Sequence, residues 1–211
     1  MSIEPLFLWC GVLAGSLFII VFLIEGMLRT GYQPLRQPVS ALAMGSRGWV
    51  QRINFIITGA LMLPFSIGLS VSLRAYGGSF WAPVLVGIYA LGLIGAGVFV
   101  TDITGMPKTN PGMPKRAVSG VLHDICSLFV FIPLFLAFFV FQQLFVEAGM
   151  YGWAIYSATS GLLFGLGFLL FARSFATEGA LAPVGGLIQR ITIATGWLWL
   201  SLVAAHLVGV I

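Results

Sequence analysis

The chain has 211 residues, 59% hydrophobic and 8% charged, with 10 Lys and Arg against 6 Asp and Glu and a net charge of +4. A soluble domain carries about 25% charged residues and needs polar groups to cover its surface. The composition therefore excludes a water-soluble fold, a disordered chain and a disulfide scaffold, and leaves a polytopic membrane protein.

Spanning about 30 Å of hydrocarbon takes about 20 apolar residues. Six segments qualify: Pro5–Leu28, Ile53–Leu73, Trp81–Val100, Val121–Val146, Trp153–Phe171 and Leu187–Ile211. The first is preceded by Glu4 and by no base, so it reads as a span and not as a cleaved leader. The predicted fold is a single all-α integral membrane domain over residues 1–211. Its three hairpins run from about 5 to 73, 81 to 146 and 153 to 211. Pro64, Pro83 and Pro133 mark kinks or helix starts, and Trp49, Trp81 and Trp153 suit an interfacial belt. Cys10 and Cys126 lie in apolar runs and read as small buried hydrophobes. Gly11/Gly15 and Gly161/Gly165 have the small-xxx-small spacing of close helix contacts.

The charge is unevenly placed. Arg29, Arg36, Arg47 and Arg52 lie between spans one and two, Lys108, Lys115 and Arg116 between three and four, and Arg173 and Arg190 between five and six. Arg74 alone lies on the other side. The positive-inside rule makes the odd-numbered loops cytoplasmic and both termini external. The cytoplasmic loops are also the long, proline-bearing ones, where function concentrates.

The even-numbered helices open alike: Gly48-Trp-Val-Gln-Arg-Ile53, Gly120-Val-Leu-His-Asp-Ile125 and Gly186-Leu-Ile-Gln-Arg-Ile191. Three hairpins in a parallel repeat predict a pseudo-threefold bundle, with Gln51–Arg52, His123–Asp124 and Gln189–Arg190 near one membrane boundary. Adjacent helical positions differ by about 100°, so one member of each pair faces the axis. An Arg52–Asp124–Arg190 cluster is one expectation, and arginines snorkelling to lipid phosphates the other.

Ionisable groups near membrane depth are candidates for function. Glu25, Asp102, His123 and Asp124 all fall at the cytoplasmic boundary. With Gln51, Arg52, Gln189 and Arg190 they can line one polar pocket that binds a small amphiphile. Asp102, His123 and Asp124 are the acid–base set if the pocket is catalytic. The alternative is an ion-pair network that ties loops to helices. His206 lies about 22 Å beyond the Gln189–Arg190 pair along its helix, too far to share a metal with His123. No metal, cofactor or nucleic-acid signature is present, and neither lysine falls in a span to carry a Schiff base.

Tyr32-x-Pro34, Gln37-Pro-Val-Ser40-x-Leu-Ala, Gly97-x-Phe-x-Thr-Asp102 and Gly120-x-Leu-His-Asp124 resemble the prokaryotic membrane family catalogued as domain of unknown function 998. The resemblance spans nearly the whole chain. It implies a six-helix protein of a bacterial or archaeal inner membrane, and adds Tyr32 and Ser40 to the candidate ligand-binding residues. Three functions remain open: binding or moving an amphiphile or membrane lipid, an intramembrane enzyme acting on a lipid or isoprenoid, and a non-catalytic assembly subunit. The proline–acid–basic signature of three-hairpin carriers is missing.

Overall fold

The structure is a computed structural model that describes residues 3–102, 117–176 and 179–210. The stretch holding Lys108, Lys115 and Arg116 lies outside the described residues, as do Glu178 and Ile211. Among the described residues the long elements are six α-helices: α1 (Glu4–Leu28), α2 (Gly48–Ser72), α3 (Trp81–Val98), α4 (Val118–Glu147), α5 (Tyr151–Ala176) and α6 (Gly185–Val208). Each coincides with a predicted span and is long and apolar enough to cross a membrane.

The helices outrun the apolar segments at their basic ends. α2 begins at Gly48 rather than Ile53, and α4 at Val118 rather than Val121. Hydropathy marks where the hydrocarbon begins, whereas backbone hydrogen bonding continues through Gln51 and Arg52 into the interfacial layer. Pro5 and Pro83 sit in first turns, where no intrahelical donor is missed. Pro64 and Pro133 lie inside α2 and α4.

Each helix packs on its sequence neighbours, and α6 returns to α1 to close the ring. Glu4 at the start of α1 accepts a hydrogen bond from Ser72 at the end of α2, and His206 near the end of α6 stacks on Trp153 near the start of α5 at 4.5 Å. These contacts place the start of α1 and the end of α6 on one face, here the terminal face. The opposite, basic face carries the 1–2 loop, the ends of α3 and α5 and the starts of α4 and α6.

Aromatic rings fill the centre of the ring. Phe18 stacks on Trp197 at 5.0 Å, Tyr89 meets the same indole edge-on at 5.5 Å, and Phe138 and Phe141 lie against Trp199 at 4.3 and 5.2 Å. An indole N–H buried in so dry a place needs an acceptor, and Trp199 Nε1 donates to Ser157 Oγ at 3.0 Å. Outward faces carry Leu13, Ile20, Leu162 and Leu166, all more than half exposed and suited to lipid. The paired glycines serve contacts inside the bundle: Gly11 and Gly15 seat Phe65 of α2 and Trp197 of α6, while Gly161 and Gly165 seat Phe138 and Phe135 of α4. A side chain at any of these positions would push neighbouring helices apart.

Candidate functional site at the basic face

The 1–2 loop folds under the bundle. Pro38 is extended, and Val39–Ala43 then winds into a short 3₁₀ turn whose Val39, Leu42 and Ala43 side chains are buried. This plug lies against α1, α2 and α6. Ser40 is half-buried within it. Val39 N–H donates to Gln189 Oε1 at 2.7 Å, and Leu35 C=O accepts from Leu187 N–H at 3.0 Å, supplying a partner to one of the first free amides of α6. Gly48 and Gly186 open their helices without side chains for the same reason: a Cβ on Gly48 would strike the Ala43 carbonyl, and one on Gly186 the carbonyls of Pro34 and Gln37.

Two groups of side chains latch the plug. Glu25, 2% exposed, accepts from Arg29 Nη2 at 2.8 Å and from Arg47 Nε and Nη2 at 3.1 and 2.7 Å. Arg47 thus takes both carboxylate oxygens, the two-pronged geometry that makes such pairs strong, and its hydrogen bond to Glu25 holds the guanidinium above its already high pKa. Arg29 Nη1 also donates to Met44 C=O at 2.7 Å, so one carboxylate joins α1, the end of the plug and the start of α2.

The second latch is Tyr32 with Arg190. The phenol donates to Pro38 C=O at 2.9 Å and accepts from Arg190 Nη2, and the guanidinium carbon lies 5.3 Å from the ring centroid. Arg190 Nη1 donates to the carbonyls of Pro34, Gln37 and Gly186. Burial raises the Tyr32 phenol above its usual pKa, partly offset by Arg190. A folded-state value above the unfolded value near 10 gives a contribution that is fully present below that pH and lost as pH rises through the folded value. Melting temperature is therefore expected to fall more steeply from pH 9.5 to 11 in the native chain than in Tyr32→Phe. Parallel curves for the two would show that the phenol does not titrate as its setting requires.

At each of the three matched helix openings the Gln or His is buried and the next residue is not: Gln51, His123 and Gln189 face inward, Arg52 and Arg190 lie on the flank, and Asp124 is exposed. The two arginines face backbone carbonyls of different segments, not a shared carboxylate. Arg52 Nε donates to Gly97 C=O at 3.1 Å, a cation at the negative end of α3. Asp102 stands at the positive end of α4, where Oδ2 accepts from Ala117 N–H at 2.9 Å and the bare Gly120 leaves room for the carboxyl group. His123 Nδ1 is 3.0 and 2.8 Å from the carbonyls of Ala96 and Phe99. Two acceptors facing one ring nitrogen place its proton there. The imidazole therefore serves the end of α3, while Asp102 serves the start of α4.

One turn deeper on α2 is a group that the sequence reading missed. Asn54 Nδ2 donates to Phe18 C=O at 3.2 Å and lies 3.5 Å from Gln51 Oε1. Thr58 Oγ1 returns to Asn54 C=O at 2.6 Å. Gln51 is fully buried and Asn54 is 3% exposed, yet Gln51 Nε2 and Asn54 Oδ1 have no hydrogen-bond partner among the described residues. The signal was present as a polar stripe at i, i+3 and i+7 in an otherwise apolar helix. Among the described residues no group of three His, Cys, Asp or Glu is placed to hold a metal ion.

Residues 12–206 match the family described as protein of unknown function (DUF998). The chain belongs to the DUF998 family. No curated protein and no solved structure matches it. In this DUF998 protein the segments that carry the resemblance all lie at the basic face: Pro38-Val-Ser40 enters the plug, Thr101-Asp102 caps α4, and Leu122-His123-Asp124 lies in its first turns.

Proposed function

We propose that this DUF998 protein binds, and by displacement of its plug exchanges, a small amphiphile or lipid at the basic face. That face is read as the cytoplasmic side of a prokaryotic inner membrane, with both termini outside, on the strength of its basic loops. The carrying observation is the pair of unpartnered amide atoms, Gln51 Nε2 and Asn54 Oδ1. A buried donor or acceptor without a partner costs about 1–3 kcal/mol, so a donor and an acceptor kept together in an apolar bundle suit a ligand that supplies the complement of both. A headgroup with a hydroxyl, or with a hydroxyl beside a carbonyl, does so. Plug, latches and matched helix openings then form one device, and the threefold pattern of those openings is read as a repeat that gathers polar groups at one end.

The test is mass-spectrometric identification of amphiphile that copurifies with the native chain and with the double variant Gln51→Leu, Asn54→Leu. Occupancy is expected to fall at least tenfold while the melting temperature holds or rises, because the unmet polar atoms are gone. Retained occupancy would refute the pocket.

A second reading, a non-catalytic assembly subunit, is favoured by the extent to which Glu25, Tyr32 and Arg190 are committed to holding the chain's own loop. An acid–base role for Asp102, His123 and Asp124 has less support, since the imidazole faces backbone carbonyls and Asp102 caps a helix.

A further inference from the structure

We propose a second lipid site, near the terminal face, that takes one acyl chain and the phosphate headgroup of an anionic membrane lipid. A shallow, laterally open apolar groove lies between the terminal-side halves of α2 and α3. Ile67 on one wall and Leu91 on the other are more than half exposed. Gly87 keeps the slot open, since a Cβ there would touch only Ser66 Oγ, at 3.7 Å. The hydroxyls of Ser66 and Ser70 bond back to their own helix, at Leu63 C=O and Ile67 C=O, so the groove offers a hydrocarbon chain few competing polar demands.

The wall on α2 ends in a charge. Leu63, Ile67 and Ser70 line the groove at i, i+4 and i+7, and Arg74 follows in the short 3₁₀ turn Leu73–Tyr76 that ends the helix. Arg74 is exposed, and no hydrogen bond or ion pair to a described residue occupies its guanidinium. Phe80 lines the same groove, and both it and Trp81 are exposed, as suits rings at the level of lipid headgroups. Among the described residues the other bases, Arg29, Arg36, Arg47, Arg52, Arg173 and Arg190, belong to the opposite face. Arg74 lies in the chain between two residues of the slot, Ser70 and Ser79, where a phosphate anchored by its own acyl chain would meet it. This site shares no residue with the plug or the buried amides.

The test is native mass spectrometry of the full-length protein in detergent, titrated with phosphatidylglycerol and, separately, with diacylglycerol of the same chains. Arg74→Gln is expected to weaken phosphatidylglycerol binding about tenfold or more and leave diacylglycerol binding unchanged. Gly87→Leu is expected to displace both, whereas Gly87→Ala, whose added carbon fits, retains both. Arg74 is solvent-exposed, so its variant folds and decides the matter alone. Phosphatidylglycerol binding within twofold of the native value in Arg74→Gln, or in a Gly87→Leu protein of native melting temperature, overturns the site.

Discussion

Replacement of Glu25 by Gln is expected to release the plug while the six-helix bundle stays assembled. Breaking a fully enclosed ion pair costs about 3–5 kcal/mol, because a buried charge is left without its partner. Arg29 is 14% exposed and Arg47 53%, so Arg47 can recover hydration and Arg29 only in part. The net loss is then well below that of an enclosed pair. The local consequence is larger than the global one, because the lost bonds all converge on the 1–2 loop. In a Leu42→Cys background the thiol, now under the bundle, is expected to resist alkylation while Glu25 is present. Adding Glu25→Gln is expected to speed its reaction at least tenfold. Trypsin is expected to cut faster at the exposed Arg36. Equal alkylation rates would mean that the carboxylate does not hold the plug.

The second large effect is expected at Arg190. Its loss removes the donor to Tyr32 and to the Pro34, Gln37 and Gly186 carbonyls. Hydrogen bonds to a charged group contribute about 1.5–3 kcal/mol each, but they share one side chain, and water reaches the outermost carbonyls. A total of about 3 kcal/mol is expected for Arg190→Ala, read as a lower melting temperature and faster cutting at Arg36. Arg190→Lys is expected to recover less than half, since an ammonium cannot reproduce the planar fork that serves several acceptors and covers the Tyr32 ring. Full rescue by lysine would show that charge alone is needed. Comparison with Glu25→Gln tests whether the latches act together: they share no residue but hold one loop, so the double variant is expected to depart from additivity in Arg36 cutting.

The spans were legible because hydrocarbon imposes a length and a composition that few other constraints blur. The location of the polar groups was legible too, since charge bias marks one face. Partners were not. Glu25 stands one turn before Arg29, so that contact could be read from helical spacing, but its bidentate partner, Arg47, reaches it only because the 1–2 loop turns back. Gln51–Arg52 and Gln189–Arg190 are identical in sequence, yet one arginine caps α3 and the other holds the first loop. The difference lies in which backbone each helix opening abuts, and single-sequence periodicity carries no such information. Pro38-Val-Ser-Ala-Leu-Ala43 looked like connecting loop because it is too short to show a period. Its burial follows from the space left between α1, α2 and α6.

The tryptophans at the centre also limit the routes open to a headgroup. Trp197 and Trp199, with the rings packed on them, close the bundle axis from side to side, and Trp199 is fixed there by Ser157. A polar group passing along the axis would have to displace that stack and abandon hydration with nothing in exchange. On the function proposed above, a ligand held at the basic face would enter and leave through the same leaflet. Exchange of ligand with one monolayer and no net flux across the membrane are then expected of that function.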